Sequence, residues 1–211
     1  MQDSADSRFD ADRTAGTCLG IAAAATVLAM AHHPTSAHGT TGGGDFVHGA
    51  MIALLAVMAF GFLHFALRRG LSRPVILAGA VAYGLSLIAN FGAATINGFV
   101  VPALAARGPE AVGHDTFLLA WFANQALARL GVYATGAAYV LWSIDFLRRD
   151  GLVNRAIGAV GMIAGAVPAA LLLSGQAAME LRMAFPIYSA HAVWAILVAI
   201  QLVRRRIPGC A

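Results

Sequence analysis

Lysine is missing from this 211-residue chain, and charge of any kind is scarce: 14 arginines and 10 acidic residues make up 11% of it. A soluble domain carries about 25% charged residues and about 45–50% apolar ones. Here the apolar share is 59% and the mean hydropathy is +0.73. So few charges cannot cover a water-facing surface of this size. That excludes a soluble enzyme, a disordered tail and a nucleic-acid binder. Cysteine is nearly missing too. Cys18 and Cys210 belong to no CxxC or Cys/His spacing, so no zinc-finger or redox motif is encoded. The net charge of +4 and the pI near 9.7 would suit nucleic acid. The arginines, however, form short clusters at the ends of apolar runs, not a stripe along one face.

What the chain has is apolar runs. Six can be marked: Ala15–Ala31, Val47–Leu67, Val75–Val100, Phe117–Leu147, Leu152–Leu173 and Phe185–Val203. A membrane helix needs about 20 mainly apolar residues at 1.5 Å each. The pattern predicts an all-α, polytopic membrane bundle of six transmembrane helices over residues 15–203. A short cytoplasmic segment, 1–14, precedes it, and a basic cytoplasmic tail, 204–211, follows. Orientation comes from arginine. Arg8, Arg13, Arg68, Arg69, Arg73, Arg148, Arg149, Arg155, Arg204, Arg205 and Arg206 all fall on one side, against Arg107 and Arg182 on the other. The positive-inside rule then puts both termini in the cytoplasm of a bacterium and the opposite loops in the periplasm. Trp121 and Trp142 are about 31 Å apart along a helix, the spacing of two interfacial aromatic belts.

The first run has two readings. Arg13, a short apolar stretch and Ala29-Met30-Ala31 resemble a signal peptide with an A-x-A cleavage site. Asp3, Asp6, Asp10 and Asp12 do not suit a signal n-region, and a retained helix is expected. Small residues mark helix contacts in lipid, where apolar burial contributes little. Gly161-Met-Ile-Ala-Gly165 with Gly158, and Ala80-Val-Ala-Tyr-Gly84, are read as such contacts. Pro168 should kink the fifth segment.

Polar groups inside membrane helices are costly, so each is a functional candidate. Asn90 and Asn97 share a face of segment three. Gln125 and Arg129 share a face of segment four, beside Asn124, and Tyr188 precedes His191 by one turn on segment six. Arg129 lies about 12 Å below Trp121. These residues concentrate in the periplasmic half, as a cavity open to that side would require. Arg129, Gln125, Asn90, Asn124 and Tyr188 are the candidate ligand-binding set. Candidate partners for Arg129 are an anionic ligand, Glu110, Asp115 or Glu180 at the rim, or carbonyls and amides such as Asn90 and Gln125; it could otherwise snorkel outward and tie helices together.

His32, His33, His38, His48 and His114 also lie on that side, with His191 deeper, and only His64 lies elsewhere. Met30, Met51, Met179 and Met183 sit near the same ends of their segments. Imidazole suits copper, zinc and haem iron, and thioether favours Cu(I). His48, His114, His191, His32, His33 and Asp45 are the candidate metal ligands. Copper or zinc is favoured over haem, because His191 is deeper than His48 and His114. No strong signature such as HExxH is present, and a solvated polar loop is the competing reading.

The stretches Asn124-Gln-Ala-Leu-Ala-Arg-Leu-Gly131, Trp142-Ser-Ile-Asp-Phe-Leu-Arg-Arg149 and Gly158-Ala-Val-Gly-Met-Ile-Ala-Gly165 resemble uncharacterised six-helix bacterial integral-membrane proteins, grouped as domains of unknown function. The resemblance covers segments four and five and implies the helix count and topology, with no activity attached.

The reading that follows is an inner-membrane protein with a periplasm-facing, histidine-lined polar cavity that binds a metal ion or a small ligand. The alternative is an accessory subunit of a larger membrane complex, or a homo-oligomer, whose polar groups are structural. A metal-dependent membrane enzyme is a third reading, and a transporter a fourth, less favoured because clear inverted repeats are missing.

Overall fold

The structure, a computed structural model, describes residues 2–32, 43–108 and 110–204. Its helices are α1 (Gln2–Ala31), α2 (Gly43–Arg69), α3 (Pro74–Thr95), α4 (Val101–Ala106), α5 (His114–Leu147), α6 (Leu152–Leu173) and α7 (Leu181–Val203), and the described residues contain no strand. A π turn, Ile96–Val100, joins α3 to α4. Among the described residues, six stretches are long and apolar enough to cross a bilayer: Asp10–Ala31, Asp45–Arg69, Pro74–Ala106, His114–Leu147, Leu152–Leu173 and Arg182–Val203. The protein is a six-span helical membrane protein, as expected. The first helix reaches further toward the N-terminus than its apolar run, and the third continues through the π turn into α4.

The six spans form a closed ring. α1, α2, α3, α5, α6 and α7 each pack on the next, and α7 returns to α1. The centre of the ring is aromatic. Phe62 stacks on Trp142 at 5.3 Å between centroids, and Tyr139 meets Trp194 at 4.2 Å. Tyr83 packs edge-on against Phe62. Both indoles satisfy their N–H inward: Trp142 Nε1 donates to the Ile76 carbonyl at 3.2 Å and Trp194 Nε1 to that of Ile157 at 3.1 Å. Trp142 is therefore not a belt residue. It is 1% exposed, whereas Trp121 is 50% exposed.

Close approach of the helices rests on glycine. A Cβ on Gly136 of α5 would come 2.5 Å from the Gly165 carbonyl oxygen of α6, and the converse holds for Gly165. A Cβ on Gly161 would run into Ser143 and Trp194, and one on Gly158 into Leu147. The GxxxG reading thus holds as a scaffold contact. The Ala80/Gly84 reading does not: a Cβ on Gly84 would meet nothing within 4 Å. In α3 the tight position is Gly79, which makes room for the Trp142 indole. α1 is a wall of the bundle, with Ala15, Leu19, Ala22 and Ala23 buried. Pro168 stays inside one continuous α6.

The arginine-rich end holds two buried or half-buried charge clusters. Asp145 is 1% exposed and binds three guanidinium groups: Arg69 at 3.2 Å, Arg149 at 3.3 Å, and Arg73. Arg69, itself fully buried, lies over the Phe146 ring at 4.2 Å. Nearby, Asp12 of α1 accepts from His64 at 2.6 Å and forms an ion pair with Arg68, whose Nε lies 2.9 Å away. These contacts fasten α1 to α2, and α2 to α5. Removing one partner of a buried charge cluster leaves the others uncompensated, at about 3–5 kcal/mol. Asp145→Asn should therefore lower the thermal midpoint in detergent sharply, and Arg149→Gln, at a partly exposed position, much less. Equal, small shifts would show that the cluster is solvated and adds little.

Candidate functional site

At the end of the ring opposite the Asp145 cluster, α1, α2, α3, the π turn, α5 and α7 enclose a cavity of about 620 Å³. Ligand cavities commonly measure about 300–1,000 Å³. Its polar lining comes from His48, Asn90, Asn97, Asn124, Gln125, Tyr188 and Glu180. Its apolar lining includes Met30, Met51, Met179, Phe117 and Trp121. The aromatic core begins beneath it.

Each of these polar side chains except Glu180 is held by a neighbour. Asn90 Nδ2 donates to the Ser86 carbonyl at 2.9 Å, and Tyr188 donates its hydroxyl to Asn90 Oδ1 at 3.0 Å. This ties α3 to α7 at the cavity floor. Gly131 of α5 makes it possible, because a Cβ there would strike the Asn90 amide. Asn124 Nδ2 donates to the Ala93 carbonyl at 2.8 Å and Gln125 Nε2 to the Met179 carbonyl at 3.2 Å. Asn97 Nδ2 lies 3.0 Å from His48 Nε2.

The π turn places Asn97. Pro102 has no N–H, and its ring crowds the carbonyl four residues back. The helix widens ahead of it, and the Val101 N–H reaches back five residues to the Ile96 carbonyl. Such wide turns recur at functional sites. Gly98 within the turn lets α3 close on α2, since a Cβ there would overlap the His48 side chain.

Of the expected ligand-binding set, Asn90, Asn124, Gln125 and Tyr188 line the cavity, and Arg129 does not. Arg129 is exposed on the outer face of α5 and makes no ion pair or hydrogen bond among the described residues. One turn beyond Gln125 it is Ala128, not Arg129, that faces the cavity. Of the expected metal set, only His48 among the described residues lines the cavity. His191 is buried below, edge-on to Tyr139 at 5.2 Å and to Tyr188 at 6.2 Å. His114 and Asp45 are exposed at the starts of α5 and α2. His32 bonds its own helix, Nδ1 to the Leu28 carbonyl at 2.8 Å. His33 and His38 lie outside the described residues. Among the described residues no three His, Cys, Asp or Glu side chains group to hold a metal ion. Sharing an end of the membrane did not bring the imidazoles together, because they sit on different faces of different helices.

Asn97 and Glu180 belong to the site but were not singled out as binding residues. The seven-residue spacing from Asn90 already placed Asn97 on the right face. Comparison with protein families, curated proteins and solved structures finds no match to this chain.

A buried hydrogen bond contributes about 1 kcal/mol net, and orphaning its partner costs about 1–3 kcal/mol. Asn90→Leu should destabilise the protein by that larger amount, because it strands the Tyr188 hydroxyl. The double variant Asn90→Leu/Tyr188→Phe should recover part of the loss in a detergent melting assay. Strict additivity of the two losses would mean that the pair is uncoupled.

Proposed function

We propose that this protein is a non-enzymatic membrane protein that binds a small organic molecule in the amide- and histidine-lined cavity. By the positive-inside rule, that cavity faces the periplasm of a bacterial inner membrane. The observation that supports this reading best is the convergence of His48, Asn90, Asn97, Asn124, Gln125 and Tyr188 on one drug-sized space. Polar side chains within membrane spans are costly, and spans pack adequately on small residues alone. Six such groups lining a cavity are better accounted for by a ligand than by scaffolding. A resident metal ion has less support, because the histidines and carboxylates are dispersed.

Arg129 favours a second reading, a subunit of a larger assembly. An exposed guanidinium within a span, without an ion-pair partner among the described residues, would be satisfied by a carboxylate or carbonyls on a neighbouring helix.

The first reading is tested by filling the cavity. Ala128 lines it and is buried, and Ala128→Trp should occlude it. Protein released from nanodiscs for native mass spectrometry, after exposure to neutral, cationic and anionic phenylalkyl compounds, should keep adducts that the variant loses. Equal adducts in both would defeat the cavity reading.

A further inference from the structure

Resting on that reading, we infer that the cavity selects organic cations: an ammonium head donated to the acceptors at its mouth, on an apolar or aromatic body. The argument starts from what each lining amide already does. Asn124 and Gln125 donate their nitrogens to backbone carbonyls, a choice chemistry fixes, since a carbonyl cannot donate. Their own oxygens, Oδ1 and Oε1, take no hydrogen bond among the described residues and are not sealed from the cavity. Asn97 offers its nitrogen to His48, so its oxygen is left in the same condition. Each amide nitrogen keeps a second proton, so neutral ligands could bond here as well. The carboxylate decides the sign.

Glu180 lines the cavity. It is the N-cap residue of α7, where a carboxylate ordinarily accepts from the first free amides of its own helix. Here its side chain makes no such bond, and it has no ion pair among the described residues. No arginine lines the cavity, and the chain contains no lysine. The lining therefore carries one carboxylate, that of Glu180, and no guanidinium or ammonium group. The walls complete the match. Trp121 and Phe117 offer ring faces, which attract a cation, and Met30, Met51 and Met179 are soft, adaptable apolar surface. A bare metal ion would leave most of a cavity of about 620 Å³ empty, whereas an ammonium with an apolar body fills it.

The test uses three near-isosteric probes on full-length protein in nanodiscs: 4-phenylbutylamine, 4-phenylbutanol and 4-phenylbutyrate. Binding is read by quenching of Trp121, with Trp121→Phe as the blank and isothermal titration as a second measure. The amine should bind at least tenfold tighter than the alcohol, and the carboxylate weakest. Glu180→Gln should lower amine affinity about tenfold and leave the alcohol unchanged. Gln125→Met, which keeps volume and removes the acceptor, should weaken the amine several-fold. Glu180 is surface-exposed, so its variant tests the charge even if Gln125→Met folds poorly. If alcohol or carboxylate binds as tightly as the amine, or Glu180→Gln changes nothing, the cation inference is overturned while the cavity reading stands. If none of the three binds, and Ala128→Trp behaves as wild type, both fall.

Discussion

Gly16 lets the first helix touch the last. A Cβ there would meet the Ala199 carbonyl oxygen, the Val203 side chain and Leu202 within 2.9 Å. This contact between α1 and α7 turns a row of six helices into a ring, and the ring makes an interior. In lipid, helices gain little from burying apolar faces against each other, so a closed interior has to be built by shape and hydrogen bonds. The aromatic rings of Phe62, Tyr83, Tyr139, Trp142 and Trp194 fill its middle. Without closure, those rings would face lipid as readily as each other.

The two ends of the ring solve the polar problem differently. At the arginine-rich end, charge meets charge: Asp145 gathers Arg69, Arg73 and Arg149, and Asp12 gathers His64 and Arg68. At the other end, uncharged amides bond to backbone carbonyls and keep their oxygens toward an open space. The first arrangement pairs carboxylates with guanidinium and imidazole groups. The second leaves amide oxygens over as acceptors.

Much of the architecture was legible from periodicity and length. The six spans follow from apolar runs, and the Gly161/Gly165 contact follows from spacing. The cavity's end, and four of the residues that line it, followed from where Asn90, Asn124, Gln125 and Tyr188 fall along their segments. What failed depended on rotation about the helix axis. Trp142 has the right depth for a belt but points inward, and Gly84 has the right spacing but points outward. Arg129 and the dispersed histidines failed the same way, since depth along a span does not say which neighbour a side chain faces. Asp145 went unnoticed because its partners lie on other helices: Arg69 precedes it by more than 70 residues, and only Arg149 is local.

The aromatic plug has a consequence for any molecule in the cavity. Trp142 and Trp194 are essentially inaccessible, their N–H groups are tied to Ile76 and Ile157, and Phe62 stacks on both. These rings close the cavity on the side of the Asp145 cluster, so a molecule held there would have to leave by another way. Passage to the far side would require five interlocked rings to part, and the Asp145 cluster beyond them to open.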